Sequence, residues 1–354
     1  MKTITLTPWP IYPVMSGGQE RCWNLTKHLD NPTVFSLDWT GESTHQRVEG
    51  VNYKTIGADP AAIAQAKLLM QSGVKTFDPM PMLTQKKLDT IRREIDNSDP
   101  DLIILEHPWL LDLTEGRPYI YDSHNCETLN TRQQFPHSLD VDLVANLERR
   151  ATQQAEHMTY TAEQDLKAMR QLYPFTTPVT HIPNGVTLPD TIATGEELTL
   201  IFIGSLYGPN IQAAKELISL APLLKEYKIR ILGNVCSVLE PHYDNVELIG
   251  AVNDKQLDYY FRTAHAFVNL TQTGSGTHLK IGRALAYGLP VVTTPVGGRG
   301  YQTPLITSIA NVPDNIRSLR RNWKQHSEWS RSEAELITWE IIGDKFRQVV
   351  NGLQ

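Results

Sequence analysis

Cysteine is scarce in this chain of 354 residues: there are three, Cys22, Cys126 and Cys236. They are widely spaced, with no Cys-x-x-Cys and no Cys/His cluster. That excludes a zinc ribbon and a disulfide scaffold, and the odd count fits a reducing compartment. Long apolar runs are missing as well. None approaches the roughly 20 residues that cross a bilayer. The opening Met1-Lys2-Thr3-Ile4-Thr5-Leu6-Thr7 reads as a strand, because its apolar run is too short for a signal peptide. The expectation is a cytoplasmic protein with at most peripheral membrane contact. Positive charge is not in excess either. The formal net charge is −6, so the composition carries no clear footprint for a nucleic-acid backbone.

What is present is a repeated alternation of short apolar strands and amphipathic helices, the mark of α/β layers with parallel sheets. The length calls for two domains. In the first half, Thr3–Thr7, Val34–Leu37, Val51–Ile56, Leu102–Leu105, Tyr119–Tyr121 and His157–Thr161 read as strands. Gln19–Leu29, Ala61–Gln71, Leu83–Ile95, Asp142–Glu156 and Glu163–Leu172 read as helices. Thr187–Glu197 has no apolar period and is the candidate linker. A second alternation follows, with strands at Leu198–Ile203, Ile229–Leu232, Val246–Ile249 and Ala266–Leu270. From Leu336 to Leu353 apolar residues recur at helical spacing, which predicts one long amphipathic helix. The expected domains are residues 1–187, 188–328 and a terminal helix within 329–354.

The densest signal is Gly274-Ser275-Gly276-Thr277-His278-Leu279-Lys280, followed by a short helix, a stop at Gly288-Leu289-Pro290 and an apolar strand. A helix that opens on glycines offers unpaired N–H groups and the positive end of its dipole, a site for an anion such as phosphate. Lys280 in the first turn adds a charge. The stretch is not a Walker A loop, since Lys280 has neither the preceding Gly nor the following Ser or Thr. A second Gly-rich turn, Pro295-Val296-Gly297-Gly298, comes after the strand.

Five segments in order, covering nearly the whole chain, resemble the GT-B glycosyltransferases of family four. They are Pro13-Val14-Met15-Ser16-Gly17-Gly18, Tyr121-Asp122-Ser123-His124-Asn125, Ile182-Pro183-Asn184-Gly185-Val186, Phe202-Ile203-Gly204-Ser205 and the loop and helix around Lys280. The resemblance implies an α/β protein of two Rossmann-like domains facing a cleft. The acceptor binds to the N-terminal domain and the nucleotide-sugar donor to the C-terminal one, and the last helix crosses back to the N-terminal domain. On this footing Gly17, Gly18, Gly204, Ser205, Asn210, Gly274, Ser275, Gly276, Thr277, His278, Leu279, Lys280 and Arg283 are donor-site candidates, with Val252 near the nucleobase. His124, which in similar enzymes contacts the transferred sugar, is the catalytic candidate. Arg21, His107 and Asn125 are candidates on the acceptor side.

The chain departs from the family pattern at Arg283, where a glutamate that holds the ribose is usual, and at Ser275, where many members have an acidic partner. Arginine accepts no hydrogen bond, so it either grips phosphate or lies in solvent. The basic residue that many members carry beside the first glycine turn is replaced by Ser205, with Pro209-Asn210 just after. Asp140-Val141-Asp142 reads as a helix N-cap rather than a metal ligand set, and Lys86, Lys87, Arg92 and Arg93 as a solvated helix face. The resemblance implies a retaining, metal-independent hexosyltransferase with no cofactor. It would use a UDP-linked sugar and a hydroxyl acceptor, as in surface polysaccharide biosynthesis. Alternative acceptors are a protein, a metabolite or a modified nucleobase. A silent nucleotide-sugar-binding protein is the alternative that Arg283 raises. A sugar-nucleotide epimerase would need a carboxylate set that is not found.

Overall fold

The structure is a computed structural model. It describes residues 1–38, 41–71, 83–135, 137, 141–303 and 305–353. The chain divides into two units, Met1–Pro183 with Trp339–Gln354, and Asn184–Thr338.

The first unit runs β1 (Thr3–Thr7), α1 (Gly17–Lys27), β2 (Thr33–Asp38), β3 (Thr44–Val48), β4 (Val51–Gly57), α2 (Pro60–Gln71) and α3 (Gln85–Ser98). It continues with β5 (Leu102–Glu106), β6 (Tyr119–Ser123), α4 (Glu127–Gln134), α5 (Val141–Gln154), β7 (His157–Tyr160), α6 (Glu163–Leu172) and β8 (Val179–His181). The strands form one sheet in the order β3-β4-β2-β1-β5-β6-β7-β8. All neighbours are parallel except β3 and β4. The central strands β1, β5 and β6 are buried from end to end. Their apolar and β-branched sequences fit that place, because helices cover both faces of a parallel sheet. β3, like β8 and α4, is not revealed by periodicity: Thr44-His45-Gln46-Arg47-Val48 is polar and largely exposed, an edge strand held by its ladder to β4. Asp140 lies outside the described residues, while Asp142 sits in the first turn of α5, where a carboxylate suits the helix dipole.

The second unit runs β9 (Thr199–Ile203), α7 (Gly208–Ser219), β10 (Lys228–Leu232), β11 (Val246–Gly250), α8 (Asp254–Thr263), β12 (Ala266–Asn269), α9 (Leu279–Ala286), β13 (Val291–Thr293), β14 (Leu305–Ile306), α10 (Val312–Arg321) and α11 (Trp323–Glu335). Its sheet is wholly parallel, in the order β11-β10-β9-β12-β13-β14. One face packs on α7 and α10 through Leu217 and Leu319, the other on α8 and α9 through Phe261 and Leu285. In both sheets the strand order reverses beside the first strand, between β1 and β5 and between β9 and β12. Such switch points open a crevice beyond the carboxyl ends of the strands.

Two expectations are corrected. Thr187–Glu197 is not a free linker, because Ala193 is buried and its N–H donates to Tyr287 O at 2.6 Å, while Thr194 N–H donates to Arg262 O at 2.9 Å. The terminal apolar stripe does form one helix, but that helix starts at Trp339 rather than at Leu336. The chain leaves α11 at Glu335 and re-enters helix as α12 (Trp339–Asn351), with Leu336 65% exposed. Residues 336–338 are where the chain passes from the second unit back to the first. In between, Val186 N–H donates to Ile337 O, so this backbone carbonyl is paired outside any helix. α12 packs on α1, where a methyl group at Gly343 would overlap the His28 ring. Gly343→Ala, which in an exposed helix would gain about 1 kcal/mol, should instead cost about 1–3 kcal/mol through overpacking. A calorimetric melt decides; an unchanged or raised midpoint contradicts the packing.

Candidate functional site

In the second unit, β12 runs into the glycine loop and α9. Gly274 and Gly276 have φ of +126° and +69°, a region that favours glycine. α9 begins at Leu279 with His278 as N-cap, and no side chain caps its first N–H groups. Ser275 Oγ is buried without a hydrogen-bond partner among the described residues. The Lys280 side chain turns toward the switch point. Its Nζ donates to Ile203 O at 3.2 Å and Asn210 Oδ1 at 2.8 Å, and lies 4.3 Å from the centre of the Phe202 ring. Burial pushes this ammonium down to about 7, and no ion pair among the described residues offsets it. Burial, with the Lys280 and Arg299 charges, likewise pushes His278 down to about 3. Arg299, from the second glycine turn, donates to Gly274 O at 2.6 Å and so pins the loop. A buried ammonium, Lys280, and an uncapped helix N-terminus thus come together with no ion pair to Lys280 among the described residues. Arrangements of this kind bind phosphate.

The neighbouring candidates fall into place around Lys280. Gly204 ends β9, and a Cβ there would lie 3.0 Å from Asn210 Cβ. Asn210 Nδ2 donates to Ser205 Oγ at 3.1 Å, so one amide ties the exposed Ser205 to Lys280. Thr277 Oγ1 accepts from Asn184 Nδ2 at 2.5 Å. Val252 packs at the edge of the apolar cluster under α8. Arg283 is exposed, in the last turn of α9, and does not join the Lys280 cluster.

In the first unit, the carboxyl ends of β5 and β6 and the start of α1 bring together a buried charged network. α1 opens on Gly17 and Gly18, with Ser16 Oγ accepting from Gln19 N–H. Arg21 is 1% exposed. Its Nε and Nη2 donate to the two Asp122 oxygens at 2.8 and 2.6 Å, and its Nη1 donates to Ile182 O at 2.9 Å. Burial alone would raise the Asp122 carboxyl, but the Arg21 charge and hydrogen bonds from His124 and Arg21 hold it well below the usual range. Arg21 is therefore a brace of the fold, which corrects its reading as an acceptor-side residue. Its guanidinium is spent on Asp122 and backbone carbonyls.

His124 Nε2 donates to Glu106 Oε2 at 2.6 Å, with Asp122 Oδ2 at 3.5 Å and Cys22 Sγ at 3.8 Å. Burial opposes the imidazolium, yet hydrogen bonds to Asp122 and Glu106 and their charges raise it to about 9. Cys22, Glu106 and His124 place ligand-type atoms within 4.8 Å of one another. The 2.6 Å contact is a hydrogen bond, though, shorter than the roughly 3.3 Å between two ligands on tetrahedral zinc. The His107 ring lies tilted against those of His124 and Trp9, with centres 4.3 and 4.6 Å away. Its Nδ1 donates to Glu127 Oε1 at 2.9 Å, which also accepts from Asn125 Nδ2 at 3.0 Å. His107 holds φ of +67°, a strained value for a non-glycine residue. Burial and the neighbouring His124 lower its pKa, so it is neutral beside the imidazolium. Asn125 thus orients Glu127, and Glu127 orients His107.

Glu106, Asp122, Glu127 and Arg299 are the participants that the sequence alone did not single out. A signal existed for two of them. An acid that ends or interrupts an apolar buried strand, as in Leu102–Glu106 and Tyr119–Ser123, needs a buried partner. Arg299 left no such mark in a polar turn.

Residues 16–188 match the family described as Glycosyltransferase Family 4, and residues 197–319 match Glycosyl transferases group 1. No curated protein matches the chain by sequence. Among solved structures, sucrose-phosphate synthase from Thermosynechococcus elongatus aligns with a TM-score of 0.75 at 14% identity, over 100% of this chain and 99% of that one. Anabaena Alr3699/HepE in complex with UDP and glucose aligns with a TM-score of 0.69 at 12% identity, over 99% and 100%. WaaG, a glycosyltransferase involved in lipopolysaccharide biosynthesis, aligns with a TM-score of 0.67 at 13% identity, over 99% and 100%. At these identities the likeness is one of fold. No helix among the described residues is long and apolar enough to cross a membrane.

Proposed function

The chain belongs to the group 1, family-four glycosyltransferases of GT-B fold, and from that premise we propose that it is a retaining hexosyltransferase using a UDP-linked sugar. The observation that carries this reading is Lys280 at the uncapped start of α9, a buried cation with no ion pair among the described residues. A donor diphosphate supplies the counter-charge. The acceptor hydroxyl attacks the anomeric carbon on the face from which the diphosphate leaves. The bond to the phosphate oxygen breaks, the new glycosidic bond forms, and the hydroxyl proton passes to the departing phosphate. The protein orients both substrates and stabilises charge on the leaving group. Side-chain cations do this work, so the reaction is metal-independent and needs no cofactor. In the first unit, His124 is the group that touches the sugar. The acceptor is a surface glycan, and the protein works in the cytoplasm. WaaG, of similar fold, is described as acting in lipopolysaccharide biosynthesis.

A thermal-shift screen of UDP-, GDP-, ADP- and dTDP-sugars tests the donor, since a ligand that binds only the folded state raises the midpoint. UDP-sugars are expected to give the largest rise. No shift with any of them sinks the proposal. Arg283 favours a second reading, a nucleotide-sugar-binding protein without turnover. Slow donor hydrolysis without acceptor supports the enzyme; tight binding with none supports the silent reading. Because Arg283 is exposed and apart from the Lys280 cluster, Arg283→Glu should change stability by less than about 0.5 kcal/mol. It should also leave diphosphate affinity within a few-fold. A tenfold loss by calorimetry would show that Arg283 grips phosphate after all.

A further inference from the structure

We infer that Glu106 is the positioning residue for His124: it holds the ring as an imidazolium whose second N–H, at Nδ1, is presented at the glycine opening of α1. The role of His124 toward the sugar rests on the proposed function, but the state of its ring does not. Three groups face Nε2, namely Glu106 Oε2 at 2.6 Å, Asp122 Oδ2 at 3.5 Å and Cys22 Sγ at 3.8 Å. Asp122 is already occupied at both oxygens by Arg21 and accepts from Thr159 as well. The Cys22 thiol is raised well above its ordinary value, first by burial and then by Glu106 and Asp122, so it stays protonated and uncharged. Glu106 is the carboxylate that His124 meets at close hydrogen-bond distance, while Asp122 adds a second negative charge that it shares with Arg21. Glu106 is 1% exposed, and its other oxygen, Oε1, has no hydrogen-bond partner among the described residues.

The remaining surroundings do not compete for that charge. His107 lies tilted against the ring, 4.3 Å between centres, and is itself paired with Glu127 of α4. On α1, a Cβ added at Gly18 would lie 3.8 Å from Nδ1. With Nε2–H committed to Glu106, Nδ1 is the ring's one remaining polar atom, and no protein group among the described residues occupies it. A neutral ring would present a lone pair there. An imidazolium presents a donor, suited to an oxygen of the ligand, either a sugar hydroxyl or a phosphate oxygen. A buried carboxylate at hydrogen-bond distance favours the charged form, in line with His124 standing at about 9.

NMR titration of the His124 ring in the purified full chain reads this state whatever the protein's activity. The parent is expected to titrate near 9. Glu106→Gln should lower that midpoint by about two pH units or more. In a transfer assay the alkaline fall of kcat should move down by the same interval, while nucleotide affinity stays within twofold. Glu106→Asp, which keeps the charge but withdraws it, should fall in between. A purely structural role for Glu106 would not move the titration. A parent midpoint at or below 6.5, or one that Glu106→Gln leaves in place, overturns the inference. If Glu106→Gln does not fold, the parent midpoint and Glu106→Asp decide it. Absence of nucleotide-sugar binding would sink the transferase reading and leave the titration result standing.

Discussion

Lys280→Met should lose about 100-fold in affinity for a nucleoside diphosphate, and that affinity should be proton-linked in the parent. Lys280 Nζ reaches the carboxyl end of β9, at Ile203 O, and a charge-assisted contact to phosphate contributes about 1.5–3 kcal/mol. Its ammonium is pushed down from 10.5 to about 7 by burial. In the free protein, therefore, half of it is neutral near pH 7. A bound diphosphate restores the charge, so binding takes up a proton, and affinity should fall up to tenfold per pH unit above 7. The stability sign runs the other way. Between 7 and 10.5 the unfolded chain binds more protons at this residue than the folded one. Its cost to folding is therefore largest below 7 and fades as pH rises. Methionine keeps the contact with Phe202 and removes the buried charge, but strips a donor from Asn210. At pH 6 the net gain should be small, about 1 kcal/mol. Calorimetric titration with UDP from pH 6 to 9, with melts of both proteins, tests each part. A variant that binds UDP as the parent does, or a parent whose affinity is flat across that range, refutes the phosphate role of Lys280.

Arg21→Met should be the most destabilising single change in the first unit, at about 3–5 kcal/mol. It leaves Asp122, at 0% exposure, without its two-pronged partner and with only His124 at 3.5 Å and the Thr159 hydroxyl beside it, and breaking one side of a buried pair costs that much. It also frees the Ile182 carbonyl. In a domain of this size the midpoint should fall by roughly 10 °C. Adding Asp122→Asn removes the stranded charge, so the double variant should be more stable than the sum of the singles predicts, because the two residues are in direct contact. Denaturant melts of the four proteins form the cycle. Additive losses would mean that Arg21 and Asp122 do not act as a pair.

The alternation of strands and helices was legible because burial writes itself into a sequence as periodicity. Leu102–Leu105 and Tyr119–Tyr121 are read as strands by the same apolar pattern that buries β5 and β6. The stop at Gly288 is read from glycine, and its φ is +63°. The phosphate loop was legible because glycines before a helix are a local feature. β3 escaped because a polar edge strand has no buried face to print a period. The late start of α12 escaped because Leu336 and Ile337 keep the apolar spacing of the helix that follows, while the Ile337 carbonyl accepts from Val186 N–H, far away in the chain.

The candidate site divides along the same line. His124, Gly18 and Lys280 stand in motifs, so residue type and order marked them. What each of them does depends on partners that no motif contains. Arg21 meets Asp122 across 101 positions, and His124 meets Glu106 from the neighbouring strand. Lys280 is turned toward Asn210 and Ile203, and Arg299 reaches back to Gly274. The sequence by itself determined the α/β architecture, the family and the glycine-opened helix starts, all of which follow from local pattern. Only the tertiary structure decided which charges are answered and which are left waiting. The energy of a buried charge depends on its nearest counter-charge and on the water it has lost, and both are set by how distant strands align.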